Sequence, residues 1–237
     1  MRAATKSELT GAARALLLEG GIEAVTVRSI AAKLGMTAPA IYRYFDSREE
    51  LLNALVDDLY DELADYLYAS LERRRREPLA ARFVGASRAY RQWALDHPAE
   101  FGLLFGAPIP GVGHSPPAGS NAEGLRGHRF GQLWLELFVE LSQTSAVPLV
   151  WRRPIPTSLR QQVERYLAAL GDPVDVDTAL MYLSCWERLY GSVCTEVFGH
   201  LSFALSDAEE LFEDHLADVA VRLGLDHPDL GPDSARP

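Results

Sequence analysis

Residues 26–52 narrow the possible folds more than any other stretch of this 237-residue chain. A helix over residues 27–34 is predicted by Thr26, whose hydroxyl can cap an unpaired helical N–H, and by Gly35, which suits the left-handed residue that ends a helix. A second helix is predicted over residues 38–44, opened by Thr37 as N-cap and by Pro39 in its first turn, where a missing N–H costs nothing. Only Gly35-Met36-Thr37 lies between them. That link is too short for antiparallel packing and fits the steep crossing of a helix-turn-helix, with Ile30, Ala31, Leu34, Ile41 and Phe45 as the shared apolar inside.

The second helix of such a pair is a candidate reader of a DNA major groove. Its front, Ala38-Pro39-Ala40, is small enough to let backbone approach base edges, while Thr37, Tyr42, Arg43 and Tyr44 offer hydroxyl and cationic contacts to phosphate. Thr26 and Arg28 at the start of the first helix, and Arg48 at the start of the next, complete the candidate DNA-contacting set. The competing reading is a small packed bundle of three helices with solvated polar ends.

Over residues 9–55 the chain resembles the TetR family of transcriptional regulators. The resemblance rests on Leu9, Ala13, Leu17, Gly20-Gly21, Thr26-Val27-Arg28-Ser29-Ile30-Ala31, Leu34-Gly35-Met36-Thr37, Ala40-Ile41-Tyr42-Arg43-Tyr44-Phe45 and Ser47-Arg48-Glu49-Glu50-Leu51-Leu52. Tyr44 and Arg48 stand where the commonest family form has His and Lys, and both keep a donor able to reach phosphate. The resemblance implies a helix-turn-helix head over residues 1–52 and an effector-binding and dimerisation domain over residues 53–226, leaving residues 227–237 as an expected disordered tail. It also implies double-stranded DNA with an inverted-repeat operator, a small-molecule effector and a second copy of the chain as partners, with the helix after the head moving as a lever.

A formal charge of −10 argues against a nucleic-acid partner until its distribution is considered. Residues 1–50 hold seven Lys or Arg against six acids, a net +1, so the remaining 187 residues carry −11. An acidic body bearing a locally basic reader lowers non-specific affinity without forbidding specific binding. No apolar run reaches the ~18 residues that cross a bilayer, and the first residues lack the apolar stretch of a secretion signal; no membrane partner and a cytoplasmic location are expected.

The rest reads as helix, giving an all-α fold class, because no alternating β-branched run occurs. Thr5-Lys6-Ser7-Glu8 has the form of a capping box opening a helix that closes at Gly20-Gly21, with Lys6 either near phosphate or simply solvated. Ser47-Arg48-Glu49-Glu50 is a second such box, followed by the unbroken row Leu51, Leu55, Leu59, Leu63, Leu67, Leu71. Arg73-Arg74-Arg75-Arg76 lies about 25 residues and roughly 40 Å along that helix from Arg48, and is read as cations favoured at a helix C-terminus. Further helices are expected over residues 79–96, 99–105, from 125 to before Pro148, 158–170, 176–200 and 207–223, the last opened by a Ser206-Asp207-Ala208-Glu209 box, with a Pro- and Gly-rich loop at 107–119.

Phe101, Phe105, Phe130, Trp134, Trp186 and Tyr190 can line a mostly apolar effector pocket, and plain core packing is the competing reading of each. Trp186, Tyr190 and Gly191 resemble a recurrent TetR-family effector domain that has Trp followed four and five residues on by His-Gly, here with Tyr in place of the His. Leu183, Val193 and Val197, with Leu211, Leu216 and Val219 on the last helix, can form half of a four-helix interface between two copies. An intrachain core would use the same residues, so the dimer rests on the resemblance and on the need to pair two readers.

Catalysis finds no support. The six His, at 97, 114, 128, 200, 215 and 227, have no metal-binding spacing, and no nucleophile elbow, phosphate loop or dinucleotide fingerprint occurs. Cys185 and Cys194, nine apart on one expected helix, are about 13 Å apart along it, beyond disulfide reach. No catalytic residue, metal or cofactor is expected. The expected function is a ligand-responsive DNA-binding regulator, a repressor released from its operator by a small, largely apolar effector. The alternative is a helical effector- or partner-binding protein that no longer reads a specific sequence.

Overall fold

The computed structural model describes residues 2–112, 127–144, 154–170 and 174–225. Ten helices occur among them: α1 (Arg2–Ala24), α2 (Val27–Leu34), α3 (Ala38–Ile41), α4 (Arg48–Arg73), α5 (Leu79–Asp96), α6 (Pro98–Phe105), α7 (His128–Thr144), α8 (Thr157–Leu170), α9 (Val176–Val197) and α10 (Glu209–Arg222). Among the described residues there is no strand, only an isolated bridge between Ile109 and Val112. The fold is all-α. Most of the expected 107–119 loop, and the expected tail at 227–237, lie outside the described residues.

The head closes around Leu9, Ala13, Leu17, Val25, Ile30, Ile41 and Phe45, all at most 4% exposed, and Leu51, Leu52 and Leu55 of α4 continue the same core. α4 therefore runs unbroken through the expected boundary at residue 52. The row from Leu51 to Leu67 is fully buried, and Leu71 is only partly so.

Ser47 caps α4 by accepting from Glu50 N–H, but the Glu50 carboxylate accepts from Asp46 N–H rather than from the cap residue. Two other caps depart from expectation. α1 begins at Arg2, because Ala3 and Ala4 favour helix and let it run upstream of Thr5. α10 begins after Ala208 with no side-chain cap, and the Asp207 carboxylate accepts from Glu209 N–H instead.

In the body, α4 packs against α5, α6 and α7, α9 lies against α5, α7, α8 and α10, and α6 also touches α1. Bidentate Arg–carboxylate pairs mark several of these contacts, a geometry that fixes relative position as well as adding energy. Arg91 (α5) holds Glu196 (α9) at 2.7 and 2.6 Å, and Arg88 (α5) holds Glu213 (α10) at 2.8 Å through both oxygens. Across α5 and α7, Arg82 donates to both oxygens of Glu140 at 2.7 and 2.9 Å. In the arginine run, Arg74 lies over Gly85 of α5, where a Cβ would collide with its side chain, and donates to Ser70 Oγ at 3.2 Å.

The packing of α9 and α10 corrects half of the expected dimer face. Val193, Leu216 and Val219 are 0%, 3% and 3% exposed within a single chain, because the apolar side of each helix is already covered by α5 and by the other. In the single chain these three belong to the intrachain core. Val197 and Leu211 are half-buried, and Leu183 is 37% exposed.

Candidate DNA-contacting face and buried aromatic cluster

The geometry of the head follows from its caps. Thr26 Oγ1 accepts from Ser29 N–H at 3.1 Å while Ser29 Oγ accepts from Thr26 N–H at 3.0 Å, a reciprocal box that starts α2. Gly35 ends it at φ 64°, ψ 27°, a left-handed conformation that a side chain would strain, and Met36 N–H then reaches back to Ala31 O at 2.9 Å. Thr37 leads into α3 with no side-chain capping bond, and Pro39 occupies the first turn. α3 is a single turn that stops at Ile41 instead of Tyr44, because residues 42–44 turn to bring Phe45 into the core.

That turn faces away from the body. Thr26, Arg28, Thr37, Pro39 and Arg43 are exposed, Tyr42 is 50% exposed, and Ala38, Ala40 and Tyr44 are half-buried. Among the described residues neither Arg28 nor Arg43 has an ion-pair partner, which leaves both cations available.

Two other basic residues are committed within the head. Arg48, expected on phosphate, instead ties α4 to the junction of α1 and α2 by donating from Nε to Val25 O and from Nη2 to Ile22 O at 2.8 Å. Lys6 lies over the Phe45 ring, 4.7 Å from its centroid, a cation–π contact that neither expectation for it included.

The six aromatics expected around an effector come together in the body. Phe101 and Phe105 of α6 have centroids 4.9 Å apart, Phe105 lies 5.8 Å from Phe130 and 5.9 Å from Tyr190, and Trp186 stacks on Tyr190 at 5.8 Å. Trp134 is 6.4 Å from Phe130 and 6.3 Å from Trp186. At their centre stands Tyr90 of α5, within 6.3 Å of Phe101, Phe105, Phe130, Trp134 and Trp186. Tyr90 is not among the aromatics that the sequence singles out, and its signal there is a hydroxyl in an otherwise apolar row.

This cluster leaves polar atoms unsatisfied. Tyr90 Oη and Trp134 Nε1 are buried without a hydrogen-bond partner, whereas Tyr190 Oη donates to Phe105 O at 2.8 Å. Burial holds the Tyr90 hydroxyl well above the ordinary phenol value, with Cys194, Tyr190 and Tyr60 as electrostatic neighbours, and pushes Tyr190 up to about 12. The phenols are therefore neutral donors at physiological pH.

A buried hydroxyl without a partner costs about 1–3 kcal/mol. Tyr90→Phe is therefore expected to raise the melting temperature of this chain by about 2–12 °C, read by calorimetry. A fall of similar size would mean that the hydroxyl has a partner.

Between head and cluster lies a charged latch. Glu100, next to Phe101 and 2% exposed, accepts from Arg14 Nε of α1 at 3.0 Å, while Arg14 Nη1 and Nη2 hold Glu62 of α4 at 2.6 and 3.1 Å. The two carboxylates raise the Arg14 pKa, Glu62 contributing most. A residue beside the aromatic wall is thus bonded directly to the first helix of the head.

Comparison with known proteins decides the family. Residues 9–55 match the bacterial regulatory proteins of the tetR family, and residues 83–219 match the tetracyclin repressor-like C-terminal domain. The chain belongs to the TetR family. HTH-type transcriptional regulator Rv1816 of Mycobacterium tuberculosis is 31% identical over 190 residues, covering 78% of this chain and 77% of that protein. HTH-type transcriptional repressor KstR2 of Rhodococcus jostii is 34% identical over 73 residues, 29% of this chain and 36% of that protein. The crystal structure of regulatory protein SCO4313 superposes with a TM-score of 0.65 at 27% identity, covering 92% of this chain and 96% of that one. This TetR-family chain is a transcriptional regulator and not an enzyme. Among its described residues, no helix is long and apolar enough to cross a membrane.

Proposed function

We propose that this TetR-family regulator is a homodimeric repressor whose two heads grip an inverted-repeat operator and let go when an apolar effector enters the aromatic cluster. The observation that carries the proposal is the exposure of α3 and its flanks, with Tyr42, Arg43 and Arg28 directed to solvent and lacking ion-pair partners among the described residues. Small residues at the front of α3 read base edges and shape; the hydroxyl and guanidinium groups around it hold phosphate. A repressor output is supported by KstR2, named as a transcriptional repressor.

Dimerisation uses the outer side of α9 and α10. Leu183 and Val221 are 37% and 70% exposed there, and Ser184, Gly191 and Thr195 give a low surface on which a second α9 can approach closely. The effector acts through α6. Phe101 and Phe105 belong to the cluster and Glu100 to the Arg14 latch, so opening the rings shifts the helix that holds the head. Operator affinity then falls by a population shift between two head positions.

Electrophoretic mobility shift with purified protein on the promoter of its own gene tests this. A discrete shifted species that survives competitor DNA is expected; no shift at low salt rejects the proposal, and uniform, salt-sensitive protection favours a head that does not read sequence. Tyr42→Phe is expected to weaken binding to all duplexes alike, by about threefold to tenfold, whereas substitutions at Ala38 or Ala40 change which sequence is preferred. Equal changes in selectivity from all three substitutions, measured by competition titration, contradict this division between holding and reading.

A further inference from the structure

Arg48 bears on how α3 meets DNA, an inference that rests on the DNA-contacting role proposed for that helix. We propose that Arg48 is a positioning residue: its guanidinium sets the angle between the head and α4 through two backbone bonds, and does not hold phosphate.

Arg48 is the first residue of α4, one place after the Ser47 cap, and Val25 immediately precedes the Thr26 cap that starts α2. Nε donates to Val25 O and Nη2 to Ile22 O at 2.8 Å, so one side chain joins the start of α4 to the start of α2. Val25 is fully buried, and its own N–H donates to Ile22 O at 3.2 Å. The two carbonyls that the guanidinium spans therefore belong to one small turn.

Ile30, Ile41, Phe45, Leu51 and Leu52 share the core that holds α2, α3 and α4 together, but burial of apolar surface is non-directional. Two hydrogen bonds from one planar group add a directional restraint on how α2 sits against α4. The same planarity accounts for arginine at this position. Nε and Nη2 lie along one edge of a rigid fork, so the two donors leave side by side and match two carbonyls of one turn. A lysine ammonium is a single point on a flexible stem and presents no such edge. With that edge committed and the side chain half-buried, Arg48 differs from Arg28 and Arg43, which are exposed and have no ion-pair partner among the described residues.

The test measures binding of the full chain, as wild type, Arg48→Lys and Arg48→Gln, to one inverted-repeat duplex selected with the wild-type protein. Titrations cover a range of salt, at a temperature where circular dichroism shows each protein folded. Both variants are expected to bind about tenfold more weakly, with the salt slope of the wild type. Wild-type affinity in Arg48→Lys, or a slope lower by about 0.9 in Arg48→Gln alone, identifies a phosphate contact and overturns the proposal. Arg48→Lys, which keeps the charge, decides by itself should Arg48→Gln not fold.

A second readout separates positioning from plain stabilisation of the head. One base pair added between the half-sites moves them apart by about 3.4 Å and turns one against the other by about 35°. The wild type is expected to lose about 30-fold in affinity and Arg48→Lys about fivefold, because a head released from α4 adapts its angle. A residue that only stabilises the head weakens binding to both duplexes alike, so equal spacing penalties in wild type and Arg48→Lys overturn the proposal. Failure of the wild type to bind any duplex removes the DNA-contacting reading and this inference with it; the other contrary outcomes remove this inference alone.

Discussion

Arg14→Met is expected to lower the unfolding free energy by about 3 kcal/mol and to loosen the head from the body. Methionine keeps most of the arginine stem, so the loss is of charge and hydrogen bonds and not of packing. The Arg14–Glu62 pair is partly solvated, 29% and 41% exposed, and contributes little by itself. Glu100 is different. At 2% exposure its carboxylate has one oxygen on Arg14 and the other without a partner, so removing the guanidinium leaves a buried, uncompensated charge.

The double variant Arg14→Met with Glu100→Gln removes that charge and is expected to recover most of the loss. Urea denaturation monitored by circular dichroism checks both variants. Unchanged stability in Arg14→Met, or no recovery in the double variant, rules out the latch as a buried charge pair. The same comparison bears on signalling, because Glu100 precedes Phe101 and Arg14 belongs to the head. Without the latch, α6 meets α1 through packing alone, and under the proposed mechanism effector is expected to have a smaller effect on operator affinity.

Ile41→Ala is expected to abolish operator binding, by at least about 100-fold, at a cost of about 2–4 kcal/mol borne mostly by the head. α3 has four residues, and Ile41, 1% exposed, is the one side chain it buries. A helix of one turn has no propensity reserve and stands only while that side chain is anchored in the core that Ile30 and Phe45 share. The body has its own aromatic and leucine core and should keep its helicity. Circular dichroism near the wild-type value together with loss of the shifted species is the expected pair of results. Full operator affinity in Ile41→Ala would mean that α3 is not the element that docks.

Much of this architecture can be read before any coordinates exist, and the reasons differ by residue. Thr26, Gly35 and Ser47 act locally, since a hydroxyl capping its own helix or a glycine at φ 64° needs nothing from afar, and all three stand as the spacing implies. Thr5 and Ser206 have the same local form but fail as caps, because upstream alanines extended one helix and Asp207 supplied a better acceptor in the other. α3 is shorter than its caps imply because the need to seat Phe45 ends it early, a tertiary demand.

Long-range pairing accounts for the rest. A periodic apolar row says that something covers it but not which body does, so Val193, Leu216 and Val219 suit a partner or an intrachain core equally, and α5, α9 and α10 of the same chain cover them. Arg48 carries a charge that suits phosphate equally well, and only the fold brings the carbonyls of Ile22 and Val25 within its reach. The six aromatics of the cluster were legible as a set, but Tyr90 was not, since its role depends on a hydroxyl that finds no partner after folding.

Operator binding as proposed requires two uncovered copies of α3 to reach successive major grooves of one duplex. Selection of binding sequences from a random duplex pool, followed by measurement of the protein-to-duplex ratio by analytical ultracentrifugation, addresses this directly. An enriched inverted repeat with half-site centres about one helical turn, roughly 34 Å, apart and two chains on each duplex is the expected result. Enrichment of no sequence, or one chain on each duplex, would contradict it.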